Sequence, residues 1–266
     1  MAELGRYAAI VEKIFFSAGM AGYKKGAREL SFERGDIAVA AAELGIDLPK
    51  NLGDVIYSIR YRTAMPASVT ATQPSGFEWI IEGTGRSRYI FRLVKKSRIL
   101  PRHDLVAFRI PDSTPEIIRA YAMNDEQALL AVLRYNRLID LFLGLTTYSL
   151  QNHLRTTLRG GSQIEIDELY VGMDKRGGHY IIPVQAKGGA DQISVVQTKQ
   201  DIAWCNERHP HLRCKAISAQ FMQGKRVALF ELAVQDDEIR IVEERHYELV
   251  AAGDLTNDDR VGYAQG

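Results

Sequence analysis

Gln185 and Lys187 stand two residues apart at the end of an apolar run that begins at Tyr180. Asp167 and Glu168 stand inside another such run, between Ile166 and Leu169. The β-forming residues Ile164, Ile166, Val171, Tyr180, Ile181, Ile182 and Val184 predict two strands, and Lys175-Arg176-Gly177-Gly178 predicts the turn joining them. Residues two apart on a strand share a face, so Gln185 and Lys187 project together. A lysine in an interior strand needs a partner, because an unpaired buried charge costs several kcal/mol or loses its proton. The carboxylates across the hairpin are the obvious partners, and a one-residue slip in the turn decides whether Asp167 or Glu168 faces Gln185 and Lys187. A carboxylate and an amide oxygen suit a hard cation such as Mg²⁺, with Mn²⁺ as a substitute. A lysine beside them can orient or deprotonate a water that attacks a phosphate. The plainer alternative is a hairpin whose surface-facing Lys187 pairs with Glu168.

Other elements must position this hairpin. Tyr148–Arg155 predicts a helix just before Gly160-Gly161, carrying Gln151, Asn152, His153 and Arg155 towards the site. Gly188-Gly189 lets the chain turn after Lys187. Ser194 then caps a helix through Ala203, whose polar side carries Gln197, Lys199 and Gln200. Strands are expected at Arg213–Met222, Val227–Ala233 and Ile239–Val242. Upstream, Asp104–Ile110 can add a strand, and Ser113 or Thr114 caps a helix with Pro115 at its first position. A long core helix capped by Asn124-Asp125 runs through Phe142. Cys205, His209, His211 and Cys214 have residue types that suit zinc, but ten residues are too few to supply four tetrahedral ligands, and a loop is the better reading. The polar stretch Asp254–Gly266 is expected to fray.

The first hundred residues read differently. Leu4, Ala8, Val11, Phe15 and Phe16 have helical spacing. A second helix is expected from an Ser31 cap to Leu44, stopped by Gly45. Asn51 caps a third, which buries Leu52, Val55, Ile56 and Ile59 and ends in Arg60, Tyr61 and Arg62. Two strands, Phe77–Glu82 and Tyr89–Val94, flank a glycine-bearing loop with Arg86 and Arg88. Helix, short turn, helix and basic hairpin resemble a winged-helix domain, with Arg60, Tyr61 and Arg62 in the recognition position and Arg86 and Arg88 in the wing. A small α+β domain that only packs or dimerises is the alternative.

The totals set bounds. The chain has 266 residues, two cysteines and a formal net charge of +1. That length accommodates two domains, expected at 1–100 and 101–266. Two cysteines do not make a disulfide scaffold and fit a reducing cytoplasm. Charged residues break up the amino-terminal stretch, so no signal peptide is expected, and no apolar run is long enough to span a membrane. Charge is unevenly spread. Residues 51–100 hold eight Lys or Arg against three acids, a net of +5, and residues 231–266 hold three Arg against ten acids, a net of −7. A basic side suits contact with DNA.

The layout of Asp167, about twenty residues, then Gln185-Ala186-Lys187 resembles the PD-(D/E)xK nuclease superfamily, above all its restriction-endonuclease and Mrr-like branches, over about residues 145–245. The resemblance implies an α/β fold: a restriction-endonuclease-like mixed sheet flanked by helices. It further implies a Mg²⁺-dependent endonuclease cutting double-stranded DNA, of a restriction type, leaving a 5′-phosphate and a 3′-hydroxyl. Asp167, Gln185 and the Ala186 carbonyl would hold the metal, and Lys187 would orient the water. Glu168 or Glu165 would be the spare carboxylate, and Gln151 and Gln200 would touch DNA. Cutting both strands of a duplex favours a homodimer. Two other readings stay open: a DNA-binding regulator with an inactive nuclease-like domain, and a structure-specific repair nuclease.

Overall fold

The computed structural model of the chain describes residues 3–61, 64–95, 99–121, 126–188, 193–236 and 238–265. The chain divides into two compact units: Met1–Lys96 with Arg159–Gln163, and Ser97–Leu158 with Ile164–Gly266.

In the first unit the order is α1 (Glu3–Phe16), β1 (Glu29–Glu33), α2 (Arg34–Leu44), α3 (Gly53–Tyr61), α4 (Ala67–Thr70), β2 (Phe77–Gly85) and β3 (Arg88–Lys95). The strands form an antiparallel sheet in the order β1-β3-β2. Phe15 of α1 anchors the core. Its ring centroid lies 5.1 Å from Phe91 and 5.2 Å from Trp79, and Ile10, Val11 and Ile14 are buried beside it. The expected Ser31 cap is wrong. Glu29–Glu33 is a strand that buries Leu30 and Phe32 and exposes the residues between them, and the helix starts three residues later. There the Asp36 carboxylate accepts from Glu33 N at 2.7 Å. Gly45 closes α2 in the left-handed region with φ 64°, as expected. Asn51 does cap α3, its Oδ1 accepting from Gly53 N at 3.1 Å. The hairpin connection is tighter than expected: β2 runs to Gly85 and β3 starts at Arg88, leaving Arg86 and Ser87 as the turn, with Ser87 at φ 63°.

The second unit runs β4 (Ala107–Pro111), α5 (Glu116–Tyr121), α6 (Glu126–Tyr135), α7 (Leu138–Leu143), β5 (Thr146–Thr157), β6 (Gln163–Met173), β7 (His179–Lys187), α8 (Val195–Arg208), β8 (Arg213–Cys214), β9 (Ala216–Met222), β10 (Arg226–Gln235), β11 (Glu238–Val250), a 3₁₀ turn (Ala252–Asp254) and α9 (Asn257–Gln265). It is an α/β unit built on a mixed 8-stranded sheet in the order β4-β11-β10-β9-β7-β6-β5, with β8 beside β7. The pairs β7–β9 and β11–β4 are parallel, while β6–β7, β9–β10 and β10–β11 are antiparallel. Helices cover both faces. Leu129, Leu130 and Leu133 of α6 and Leu138, Ile139 and Phe142 of α7 pack with Ile182, Val184 and Ala186 of β7. Trp204 and Cys205 of α8 pack with Ile166, Leu169 and Ile181. β7 is therefore interior in both directions, which explains its nearly unbroken apolar sequence.

Three expectations fail in this unit. Tyr148–Arg155 is not a helix but lies within the sheet-edge strand β5, exposed on both faces over most of its length. The long helix through Phe142 breaks at Arg137, which takes φ 50°. Buried Asn136 ties that break down: it accepts from Ser113 N at 2.7 Å and donates to Thr114 Oγ1 at 2.8 Å. Its expected caps, Asn124 and Asp125, lie outside the described residues, as do Arg62 and Gly189. The carboxy-terminal stretch does not fray: α9 folds back on β4, with Asp259 2.7 Å from Arg109 and the Tyr263 hydroxyl donating to the Arg109 carbonyl. Among the described residues no helix is long and apolar enough to cross a membrane.

Candidate active site

The β6–β7 register runs from Met173↔His179 to Glu168↔Val184. One residue further on, the Asp167 carboxylate takes over from the backbone: its Oδ2 accepts from Ala186 N at 2.9 Å. Asp167 is only 8% exposed. Burial raises its pKa above the ordinary carboxylate range, opposed by the nearby Lys187 charge and the Ala186 N–H, and reinforced by Glu126 and Glu165. An acid placed there is drawn to positive charge, whether ammonium or metal.

Lys187 answers the question of its partner in an unexpected way. Its ammonium donates to Glu126 Oε1 at 2.6 Å, with the lysine side chain 14% and the glutamate side chain 39% exposed. Glu126 opens α6, where the helix dipole favours the ionised carboxylate. Sequence reasoning passed over Glu126 because it is far upstream of the hairpin. The one signal available was an acidic residue at the start of a strongly amphipathic helix.

The two spare carboxylates named from sequence are engaged elsewhere. Glu168 is fully buried and points across to α6, where Arg134 holds it at 3.0 and 3.2 Å and the Ser149 hydroxyl donates to it. Glu165 lies beside β5, 3.3 Å from His153 Nδ1 and 3.2 Å from Arg155 Nε. The expected His153 and Arg155 therefore meet Glu165 from a strand and not from a helix.

Gln185 is 2% exposed and turns to α8. Its Nε2 donates to Thr198 Oγ1 at 3.0 Å and to Asp201 Oδ2 at 3.2 Å. Among the described residues its buried Oε1 has no hydrogen-bond partner, nor do Asp201 Oδ1 and Ser218 Oγ. Ser218 is the register neighbour of Gln185 on β9. Burial pushes Asp201 well above the ordinary carboxylate range. α8 is thus polar on its inner face: Gln197, Thr198 and Asp201 are buried, and Gln197, expected on the solvated side, donates to the Glu165 carbonyl at 3.1 Å.

Among the described residues no three His, Cys, Asp or Glu side chains gather as a metal site. Cys205 and Cys214 are free thiols, and His209 packs its ring on Trp204 at 5.6 Å. What the hairpin offers a hard cation is the Asp167 carboxylate, the Ala186 carbonyl, the unpartnered Gln185 Oε1 and, from α6, Glu126. All are oxygens, and an orphaned buried amide oxygen is the kind of atom a cation satisfies.

The residues expected at DNA are scattered over both units. Arg86 and Arg88 are exposed in the β2–β3 hairpin, Gln151 is exposed on β5, and Gln200 is half-buried on α8. Arg60 and Tyr61 end α3, and their side chains lie outside the described residues, as does the whole of Arg62. No protein-family model matches the chain, and neither the curated proteins nor the solved structures yield a match.

Proposed function

We propose that the chain is a Mg²⁺-dependent DNA endonuclease of the PD-(D/E)xK kind, with a restriction-endonuclease-like unit that cuts and a winged-helix-like unit that helps bind the duplex. One observation supports the reading: Lys187, on an interior strand, pairs with Glu126 at its ammonium, and Asp167, bonded to the Ala186 N–H beside it, feels the lysine charge. A protein that needed only a stable hairpin would gain more from an apolar residue at 187, since a part-buried ion pair recovers little of its desolvation cost. Two features of the fold support the reading. The order α7, strand β5, hairpin β6–β7, helix α8 and strands β8 to β11, with β7 and β9 parallel, suits the sheet of that superfamily. The order α1-β1-α2-α3-α4-β2-β3, with sheet order β1-β3-β2, suits a winged helix.

Mg²⁺ would be held by Asp167, the Ala186 carbonyl, Gln185 Oε1 and Glu126, and would supply charge to polarise a phosphate oxygen. Lys187 directs an attacking water through its N–H donors and stabilises the negative charge that grows on the phosphorus oxygens. Glu126 keeps the lysine charged and aimed before DNA arrives. Hydrolysis leaves a 5′-phosphate and a 3′-hydroxyl, and a homodimer serves both strands.

The test is incubation of the purified chain with long unmethylated and methylated duplex DNA, with Mg²⁺ or with chelator, beside Lys187→Ala. Discrete fragments that require Mg²⁺ and vanish in the variant are expected. Tight duplex binding that ignores chelator, with no cutting of either DNA, would replace the nuclease by a binding regulator.

A further inference from the structure

Residue 185 is an amide, and the helix packed over it gives a reason. Thr198 and Asp201 lie nearly one turn apart on the buried face of α8, both against the Gln185 side chain. The Thr198 hydroxyl spends its hydrogen on the Ser194 carbonyl at 2.9 Å, so towards Gln185 it can only accept. Asp201 Oδ2 is a second acceptor. Two acceptors require the donor end of the amide. A flipped Gln185 would set its oxygen against the Thr198 oxygen and give up the bond from Nε2 to Asp201 Oδ2, and a glutamate would bring an oxygen to Thr198 in either orientation. With Nε2 fixed on α8, Oε1 is left on the other side of the amide, buried and without a donor among the described residues. A buried acceptor left in that state is costly unless something else meets it.

We propose that Thr198 and Asp201 are positioning residues: they select glutamine at position 185 and hold its amide with Nε2 on α8 and Oε1 turned away, available to the cation of the site. The inference rests on the nuclease reading and deepens it. The Asp201–Thr198 pair, not a charge on residue 185, fixes the geometry of that ligand. Supporting groups behind a metal ligand of this kind typically account for about 10- to 100-fold in metal affinity.

The experiment uses the full chain and has two readouts. The first is the ¹H–¹⁵N signal of the Gln185 side-chain amide, assigned by its loss in Gln185→Glu, followed without metal and then with Mg²⁺. The second is Mg²⁺ affinity by calorimetry, set beside cleavage. In the wild type the amide protons exchange slowly and shift on Mg²⁺ addition. Thr198→Val is expected to speed their exchange and weaken Mg²⁺ about 10-fold, and Thr198→Ser, which keeps the acceptor, is expected to restore both. Gln185→Glu weakens Mg²⁺ binding, and Gln185→Glu with Asp201→Asn recovers it, because asparagine now donates to the carboxylate. This swap leaves side-chain volume nearly unchanged and so tests the idea without a packing defect. Wild-type Mg²⁺ affinity in Thr198→Val, or a swap no better than Gln185→Glu alone, would overturn the proposal. If the wild type binds Mg²⁺ and cuts while those variants match it, only this inference falls. If the wild type neither binds Mg²⁺ nor cuts, the nuclease reading falls and takes this one with it.

Discussion

The Lys187 ammonium and the Glu126 carboxylate lie 2.6 Å apart although 61 residues separate them in the chain. The contact joins the start of α6 to the end of β7 and gives the lysine a partner, one that a DNA phosphate would have to share under the proposed nuclease function. Glu126→Gln keeps the shape and removes the charge. It is expected to lower cleavage by about 10-fold or more, within the range that a single charge-assisted contact can contribute to a transition state, with duplex affinity within about threefold of wild type. Single-turnover cleavage and fluorescence anisotropy on the same duplex separate the two. A parallel loss of binding would make Glu126 part of the DNA surface instead.

Glu168 gives the opposite pattern. Both of its oxygens are engaged by Arg134, and it is fully buried. Glu168→Gln leaves the guanidinium without its carboxylate, and the expected loss is about 2 kcal/mol, below the value for a wholly buried pair because Arg134 is partly exposed. Urea unfolding measures it. Cleavage at a temperature where the variant stays folded should remain within a few-fold of wild type. If cutting is lost while stability is kept, Glu168 belongs to the chemistry.

Asp174 offers a pH test away from the site. Its Oδ1 accepts from Gly178 N at 2.8 Å and Arg176 N at 2.9 Å, and these two bonds hold its carboxyl below the ordinary 3.8. The sign follows from linkage: a depressed folded pKa stabilises above the unfolded value, and that stabilisation is lost as pH falls through the folded one. Wild type should therefore exceed Asp174→Asn in urea midpoint at pH 7 by more than it does at pH 3. Equal gaps at both would show that the ionised form is not what the turn holds.

Arg86 and Arg88 are exposed on the hairpin of the first unit. If they neutralise phosphates, replacing both by alanine should weaken duplex binding uniformly across sequences. The slope of log K against log salt should fall by about 1 to 2, at about 0.9 per phosphate contact. An unchanged slope would take the hairpin out of the interface.

The hairpin is legible because β6 and β7 carry strong β-formers around one basic, glycine-rich turn, and Asp167 meets Ala186 only nineteen residues on. What was misread lay where local pattern and tertiary use diverge. The β5 segment is exposed on both faces, so it lacks the alternation that marks a half-buried strand, and its polar mixture imitated a helix. β1 did alternate, with Leu30 and Phe32 inward, but Ser31 looked like a cap. Glu126 and Asp201 escaped because no local rule assigns a carboxylate to a lysine 61 residues away or to a buried amide. On α8, Thr198, Asp201 and Cys205 have helical one-face spacing, yet the polarity of that face reads as solvent until it is known that a glutamine lies beneath it.

The parallel pairing of β7 with β9 also sets an order of events during synthesis. Lys187 takes its lateral neighbour, Gln220, only after the chain has travelled out over α8 and back. A nascent chain that has reached Lys187 but not Gln220 has β7 as an open edge, with Gln185 lacking the helix that grips it. Glu126, Asp167 and Lys187 are all made by then, but the α8 residues that grip the Gln185 amide are not, so an unfinished polypeptide carries the parts of the site without the groups that orient its amide.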